Sequence, residues 1–322
     1  MNFLNILSDI EQVDPEVYDR LDSRRRVFKH MAGVGQKLAT AALPMFVGAV
    51  FNKAYGQTPA GVAVADVLNF ALKLEYLEMY FYQQRIVLSG ISSINLSALA
   101  TIAADEANHV AFLRTAITGA GATPITDPTA AQFDYSGGRG SQNGPFADWR
   151  TNATTYLALA QAFEDTGVRA YKGAAPLMSV MANKTVLTAA LNIHSVEARH
   201  ASHIRAMRRA GASSSTPSRG IANAPYSDQP KSWISGTDNG GPAAAYTAPV
   251  YGAGDGSGLA NGIAFPAEDN ISQGGIALSG TTLPNTSGFP SSAYSEAFDE
   301  GLDVTTVSSI ARGFTIATST LF

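Results

Sequence analysis

The chain has 322 residues, of which 45% are hydrophobic and 15% charged, with a net charge of −4. This is a globular composition with no basic aromatic stripe, so nucleic acid is not an expected partner. It contains no cysteine, which excludes disulfides, iron–sulfur clusters and thiolate zinc sites and leaves the redox compartment open.

Residues 1–56 read as one unit, either an N-terminal helix or a twin-arginine-type signal segment. Asp14-Pro15 is a helix start, with a cap followed by proline at the first helical position. Ser23-Arg24-Arg25-Arg26-Val27-Phe28-Lys29 follows, then an apolar run from Leu38 to Phe51 and the small-x-small sequence Ala54-Tyr55-Gly56. Paired arginines, a weak apolar core and a small-residue cleavage site make an export signal, which would place the protein in the periplasm or outside the cell. Against this, Asp9, Glu11, Asp14, Glu16, Asp19 and Asp22 make the leading stretch acidic. The alternative is an uncleaved amphipathic helix on a cytoplasmic protein. A spanning helix is not expected, because the run is short and holds Pro44.

Residues 57–211 carry four helical patterns with the three-to-four spacing of one core face each. They run from about Val64 to Leu88, Leu96 to Thr118, Phe146 to Ala175 and Lys184 to Ala210, the last closed by Gly211. Short joins make the first and second, and the third and fourth, antiparallel hairpins. The join from Gly119 to Pro145 is long, and a long crossover between two hairpins is a ferritin-type bundle connectivity. The fold class is therefore all-α, a four-helix bundle. Residues 212–322 are rich in Gly, Ser and Pro but carry spaced aromatics, Trp233, Tyr246, Tyr251, Phe265, Phe289, Tyr294 and Phe298. An irregular arm lying over the bundle or a neighbouring subunit is expected, with a short helix from Val304 to Arg312 capped by Asp303.

An internal repeat carries the chemistry. Glu75 is followed by Tyr82, then by Glu106 and His109; Glu164 is followed by Tyr171, then by Glu197 and His200. Residues three apart on a helix differ by about 60° and about 4.5 Å, so each Glu-x-x-His converges on one point. Each can give one terminal imidazole and one bridging carboxylate, with Glu75 and Glu164 completing two shells. Unpaired carboxylates on apolar faces are costly, so cations must offset them. The oxygen and nitrogen donors suit two ions of iron or manganese, with zinc also allowed. Tyr82 and Tyr171 lie on the faces of their glutamates and are placed to hydrogen-bond a ligand carboxylate across the bundle. Glu78 competes with Glu75, and the repeat decides for Glu75. Glu78, Asp105 and Asp165 stand as hydrogen-bonding neighbours of the ligands or as solvated residues. His194 and His203 flank the second motif at steps of three and rotate off the ligand face.

At these residues the chain resembles the ferritin-like domain proteins, and within them a bacterial group related to plant desiccation-related proteins. The resemblance rests on Leu68 to Glu78, Gln161 to Tyr171 and His194 to His203, with a looser match at Glu296 to Glu300. It implies a di-metal centre that oxidises ferrous iron or acts on peroxide or dioxygen, in oxidative or desiccation stress, and a homo-oligomer. The absence of cysteine argues against rubrerythrin-style electron delivery, and the arm argues against a storage cage. The alternative is a non-enzymatic structural or protective protein, with the metals as a staple and the arm mediating assembly.

Overall fold

The computed structural model describes residues 63–84, 90–177, 180, 182–215, 230–238, 241, 247–254, 265–279 and 289–322. The expected signal or N-terminal helix of residues 1–56 lies outside them. Among the described residues there are six α-helices and one two-stranded hairpin, and the protein is all-α with a four-helix bundle at its centre.

The bundle helices are α1 (Val64–Gln83), α2 (Ser93–Gly119), α3 (Ala153–Ala174) and α4 (Lys184–Ala210). Each start is fixed locally where the sequence supplies a cap. Ser92 accepts from the Asn95 amide, Asn152 from the Thr154 and Thr155 amides, and Asn183 from the Val186 amide, each satisfying donors that the first turn leaves open. Gly211 ends α4 at a positive φ of 87°, a conformation glycine adopts at little cost. α1 packs on α2 and α3 on α4 as antiparallel hairpins, and the two hairpins meet face to face.

α3 begins seven residues later than its hydrophobic pattern suggests. Phe146 and Trp149 are buried in the core, so they mimic the start of an apolar helical face. The chain around them is a series of turns, and the Asn152 cap sets the true start. The crossover from α2 to α3 is also pinned: the Tyr135 hydroxyl donates to the Leu77 carbonyl at 2.7 Å. A cluster of rings around Phe81 fills this end of the bundle, with Trp149 and Tyr156 stacked on it and Tyr135 and Phe163 edge-on.

The described parts of the C-terminal arm lie on the chain's own bundle. The arm contains β1 (Ser272–Gln273), β2 (Ile276–Ala277), α5 (Ser292–Ser295) and α6 (Val304–Arg312). β1 and β2 pair antiparallel through Gly274 and Gly275, both at positive φ, as a tight two-residue hairpin turn requires. Asp303 caps α6, accepting from the Thr306 amide at 2.8 Å. Behind α6, the Ile316 amide donates to the Gln132 carbonyl at 2.9 Å, and the Asp134 amide donates to the Phe314 carbonyl at 2.8 Å. The arm crosses α3 at Gly173, where an added Cβ would stand 2.0 Å from the Leu302 carbonyl oxygen. Beside this crossing, fully buried Arg169 pairs with Glu268 at 2.8 Å. It also donates to the carbonyls of Val250, Gly252, Pro266 and Gly301. No helix among the described residues is long and apolar enough to cross a membrane.

Candidate metal centre

The midpoint of each bundle helix contributes to one buried polar cluster. α1 brings Glu75, α2 Glu106 and His109, α3 Glu164, and α4 Glu197 and His200; the four carboxylates are at most 1% exposed. They form two overlapping groups. One is Glu75, Glu106, His109 and Glu197; the other is Glu106, Glu164, Glu197 and His200. Within each group one ligand atom per residue lies within 4.8 Å of all the others. Glu106 and Glu197 belong to both.

The atoms divide in an orderly way. Glu106 Oε2 lies 3.0 Å from His109 Nδ1, and Glu106 Oε1 lies 3.0 Å from His200 Nδ1. One carboxylate therefore faces two imidazoles with its two oxygens. Glu75 Oε2 is 3.1 Å from His109 Nδ1, and Glu164 Oε2 is 3.2 Å from His200 Nδ1. The remaining oxygens of this pair accept from tyrosines in a crossed pattern. Tyr171 on α3 donates to Glu75 Oε1 on α1, and Tyr82 on α1 donates to Glu164 Oε1 on α3. Each tyrosine thus fixes the carboxylate of the opposite hairpin and leaves one oxygen aimed at the centre.

The two halves differ at the outer histidine nitrogen. Asp105 Oδ2 sits 3.1 Å from His200 Nε2, which leaves Nδ1 of that ring to face inward. The repeat places Val196 opposite Asp105, so His109 has no matching carboxylate one residue before the second motif's glutamate. Glu78 is buried, one turn beyond Glu75, and stands outside both groups. Asp165 is buried but faces away from the cluster: it is ion-paired to Arg205 and accepts from the Tyr251 hydroxyl at 2.7 Å. His194 turns its Nδ1 to the Val168 carbonyl at 3.0 Å, and His203 is exposed. Gly167 carried no signal in the sequence reading. An added Cβ there would stand 3.0 Å from Glu197 Oε2, so the glycine keeps open the space beside that oxygen.

The electrostatics are those of a cation site. Burial, then the charge of Glu197, pushes the Glu106 carboxyl up to about 8. Burial also holds Glu164 above, and Glu197 and Glu78 well above, the usual carboxylate range, with the neighbouring carboxylates adding to it for Glu78. For His200, burial opposes the charge, but Glu164 and Glu106 overcome it and raise the imidazole to about 11. His109 is raised in the same way by Glu106, Glu197 and Glu75. Buried Glu197 Oε2 has no hydrogen-bond partner, which is costly for an acceptor unless a cation meets it. Four inward carboxylates, two inward imidazole nitrogens and an unmet oxygen fit a pair of metal ions.

Residues 63–210 match the family profile described as ferritin-like domain. This segment is a ferritin-like domain. No curated protein and no solved structure matches the chain. The ferritin-like domain covers α1 to α4 and every residue of the cluster; the arm lies beyond it.

Proposed function

We propose that the ferritin-like domain is a di-metal carboxylate protein that performs redox chemistry on peroxide, dioxygen or ferrous iron in stress protection. The observation that carries this reading is Glu106, whose two oxygens face two histidines from opposite sides. Glu75, Glu106, His109 and Glu197 would hold one ion, and Glu106, Glu164, Glu197 and His200 the other. Iron or manganese in such a site supplies two-electron redox change, while zinc would supply none. The chain's own part is to hold and orient. Tyr82 and Tyr171 each keep one carboxylate oxygen turned inward, Asp105 sets the His200 ring, and the packed helices exclude water.

The test is a stopped-flow assay with ferrous iron and with hydrogen peroxide, on protein loaded separately with iron and with manganese. Turnover should vanish in a Glu106→Ala/Glu197→Ala double variant. Tyr82→Phe should only slow it, by about tenfold or more, because that hydroxyl tunes a ligand without replacing it. Equal rates in wild type and the double variant would reject the enzyme reading.

The second reading is structural, with the metals as a staple. It is favoured by Arg169, which fastens the arm directly to the ligand-bearing α3 through Glu268 and five backbone carbonyls, of Val250, Gly252, Pro266, Glu300 and Gly301. It gains if metal raises the unfolding temperature while neither loaded form turns over.

A further inference from the structure

The two halves of the cluster agree at their inward atoms and differ at their outward ones. Each imidazole turns Nδ1 to Glu106, at 3.0 Å in both cases. Each single glutamate turns one oxygen to a histidine and gives the other to a tyrosine. The outward nitrogens are not alike. His200 Nε2 lies 3.1 Å from Asp105 Oδ2 on α2, so that ring is held from both sides by carboxylates. His109 is held through Nδ1 alone, by Glu75, Glu106 and Glu197. Among the described residues no hydrogen bond reaches its Nε2. Glu197 adds a second difference. Its Oε1 lies 3.3 Å from His109 Nδ1, while its buried Oε2 has no hydrogen-bond partner and stands beside Gly167 on α3, the helix that carries Glu164.

We propose that Asp105 makes the two ion positions unequal: the position of Glu164 and His200 fills first, and that of Glu75 and His109 second. This rests on the di-metal reading and adds an order to it. An imidazole that gives its inward lone pair to a cation becomes more positive at its outer N–H. A carboxylate accepting from that N–H offsets the change and fixes the plane of the ring beforehand, whereas an outer nitrogen without such a partner leaves both to the ion. Outer partners of this kind are worth about 10–100-fold in metal affinity. The Asp105 side chain is 39% exposed, so water weakens its field and the lower end of that range, about tenfold, is expected. The helical repeat supplies no counterpart, because Val196 stands where a second aspartate would precede Glu197. Asp105 is thus a positioning residue, acting through His200 and not on the ion itself.

The test is calorimetric titration of the metal-free, full-length protein with zinc, which binds without redox change. Two ions that share Glu106 and Glu197 repel each other, so separate steps are expected in any case, and the experiment has to isolate the positions. Glu75→Ala keeps the His200 position and Glu164→Ala keeps the His109 position. The first should bind its ion about tenfold more tightly than the second. Adding Asp105→Asn should weaken binding by Glu75→Ala about tenfold and change that by Glu164→Ala less than twofold. Asp105→Asn alone, with every ligand in place, should weaken the first step about tenfold and the second much less, which carries the test should a glutamate variant fail to fold. Equal affinities in the two glutamate variants, or the reverse order, overturn the proposal. So does an equal loss from Asp105→Asn at both positions or at both steps, since Asp105 would then serve the fold at large. Wild type that binds two ions with no effect of Asp105→Asn rejects the proposal alone. Wild type that binds none rejects the di-metal reading and the proposal with it.

Discussion

Glu75 and Glu164 each give one oxygen to a tyrosine and keep the other for a histidine, whereas Glu106 gives its two oxygens to two histidines. That difference ranks the residues. Glu106→Ala removes a group common to both ion positions and should lower bound metal from about two ions per chain by more than half. Glu75→Ala should deplete one position, and Glu78→Ala neither; elemental analysis after loading checks the order. Protons compete for the same atoms. In the metal-free protein Glu106 is raised to about 8 and His200 to about 11, and His109, Glu164, Glu197 and Glu78 move the same way. Groups with raised folded pKa values favour the fold at low pH, and this contribution is lost as pH rises through those values. For Glu106 the window runs from the ordinary 4.5 to about 8. The metal-free protein should therefore unfold at a lower temperature at the upper end of that window than at the lower. Metal binding displaces these protons, so the gain on loading should grow with pH. Thermal melts with and without metal across that range decide this, and a gain that shrinks with pH would contradict it.

At the scale of elements, α3 does two jobs. Its inward face carries Glu164 and Tyr171, and its outward face carries Asp165, Arg169 and Gly173, which receive the arm. Arg169 is the centre of that contact. Burial draws it down and pushes Glu268 up to about 8, each against the pull of its partner. Removing one member strands the other charge. Arg169→Met should destabilise the protein by about 3–5 kcal/mol, read by denaturant unfolding. Arg169→Met/Glu268→Leu should recover part of that loss, although the carbonyls of Val250, Gly252, Pro266 and Gly301 stay without their donor. If the single variant costs nothing, the arm is not fastened through this pair. The helices themselves were legible from periodicity. α4 and α6 begin and end where Asn183, Gly211 and Asp303 place them. The start of α3 was not, because buried aromatics in a turn carry the same apolar signal as a helical face.

At the scale of the molecule, the ferritin-like domain sits between a leading segment and the arm. The proposed route for that leading segment is twin-arginine export, resting on Arg24-Arg25 within Ser23 to Lys29. Intact-mass measurement of protein isolated from its native envelope should then give a start near Gln57. A cytoplasmic protein that keeps Met1 would leave the uncleaved-helix alternative. For assembly, the proposal remains a homo-oligomer. Part of the described arm is engaged on its own bundle through Arg169, while Ile271 and Ile276 of the arm stay exposed.

The sequence by itself determined the four-helix core, its long crossover and the two Glu-x-x-His repeats, because each of these is written in spacing along one helix. Helical periodicity states which face a residue occupies. It does not state what comes to meet that face from a hundred residues away. Only the tertiary structure could cross Tyr82 to Glu164 and Tyr171 to Glu75, or turn Asp105 toward His200 and Asp165 toward Arg205. Only the packing of four helices could show that Gly167 opens space beside Glu197. Those facts depend on distances between separate elements, and buried polar groups settle them by finding partners wherever the fold supplies them.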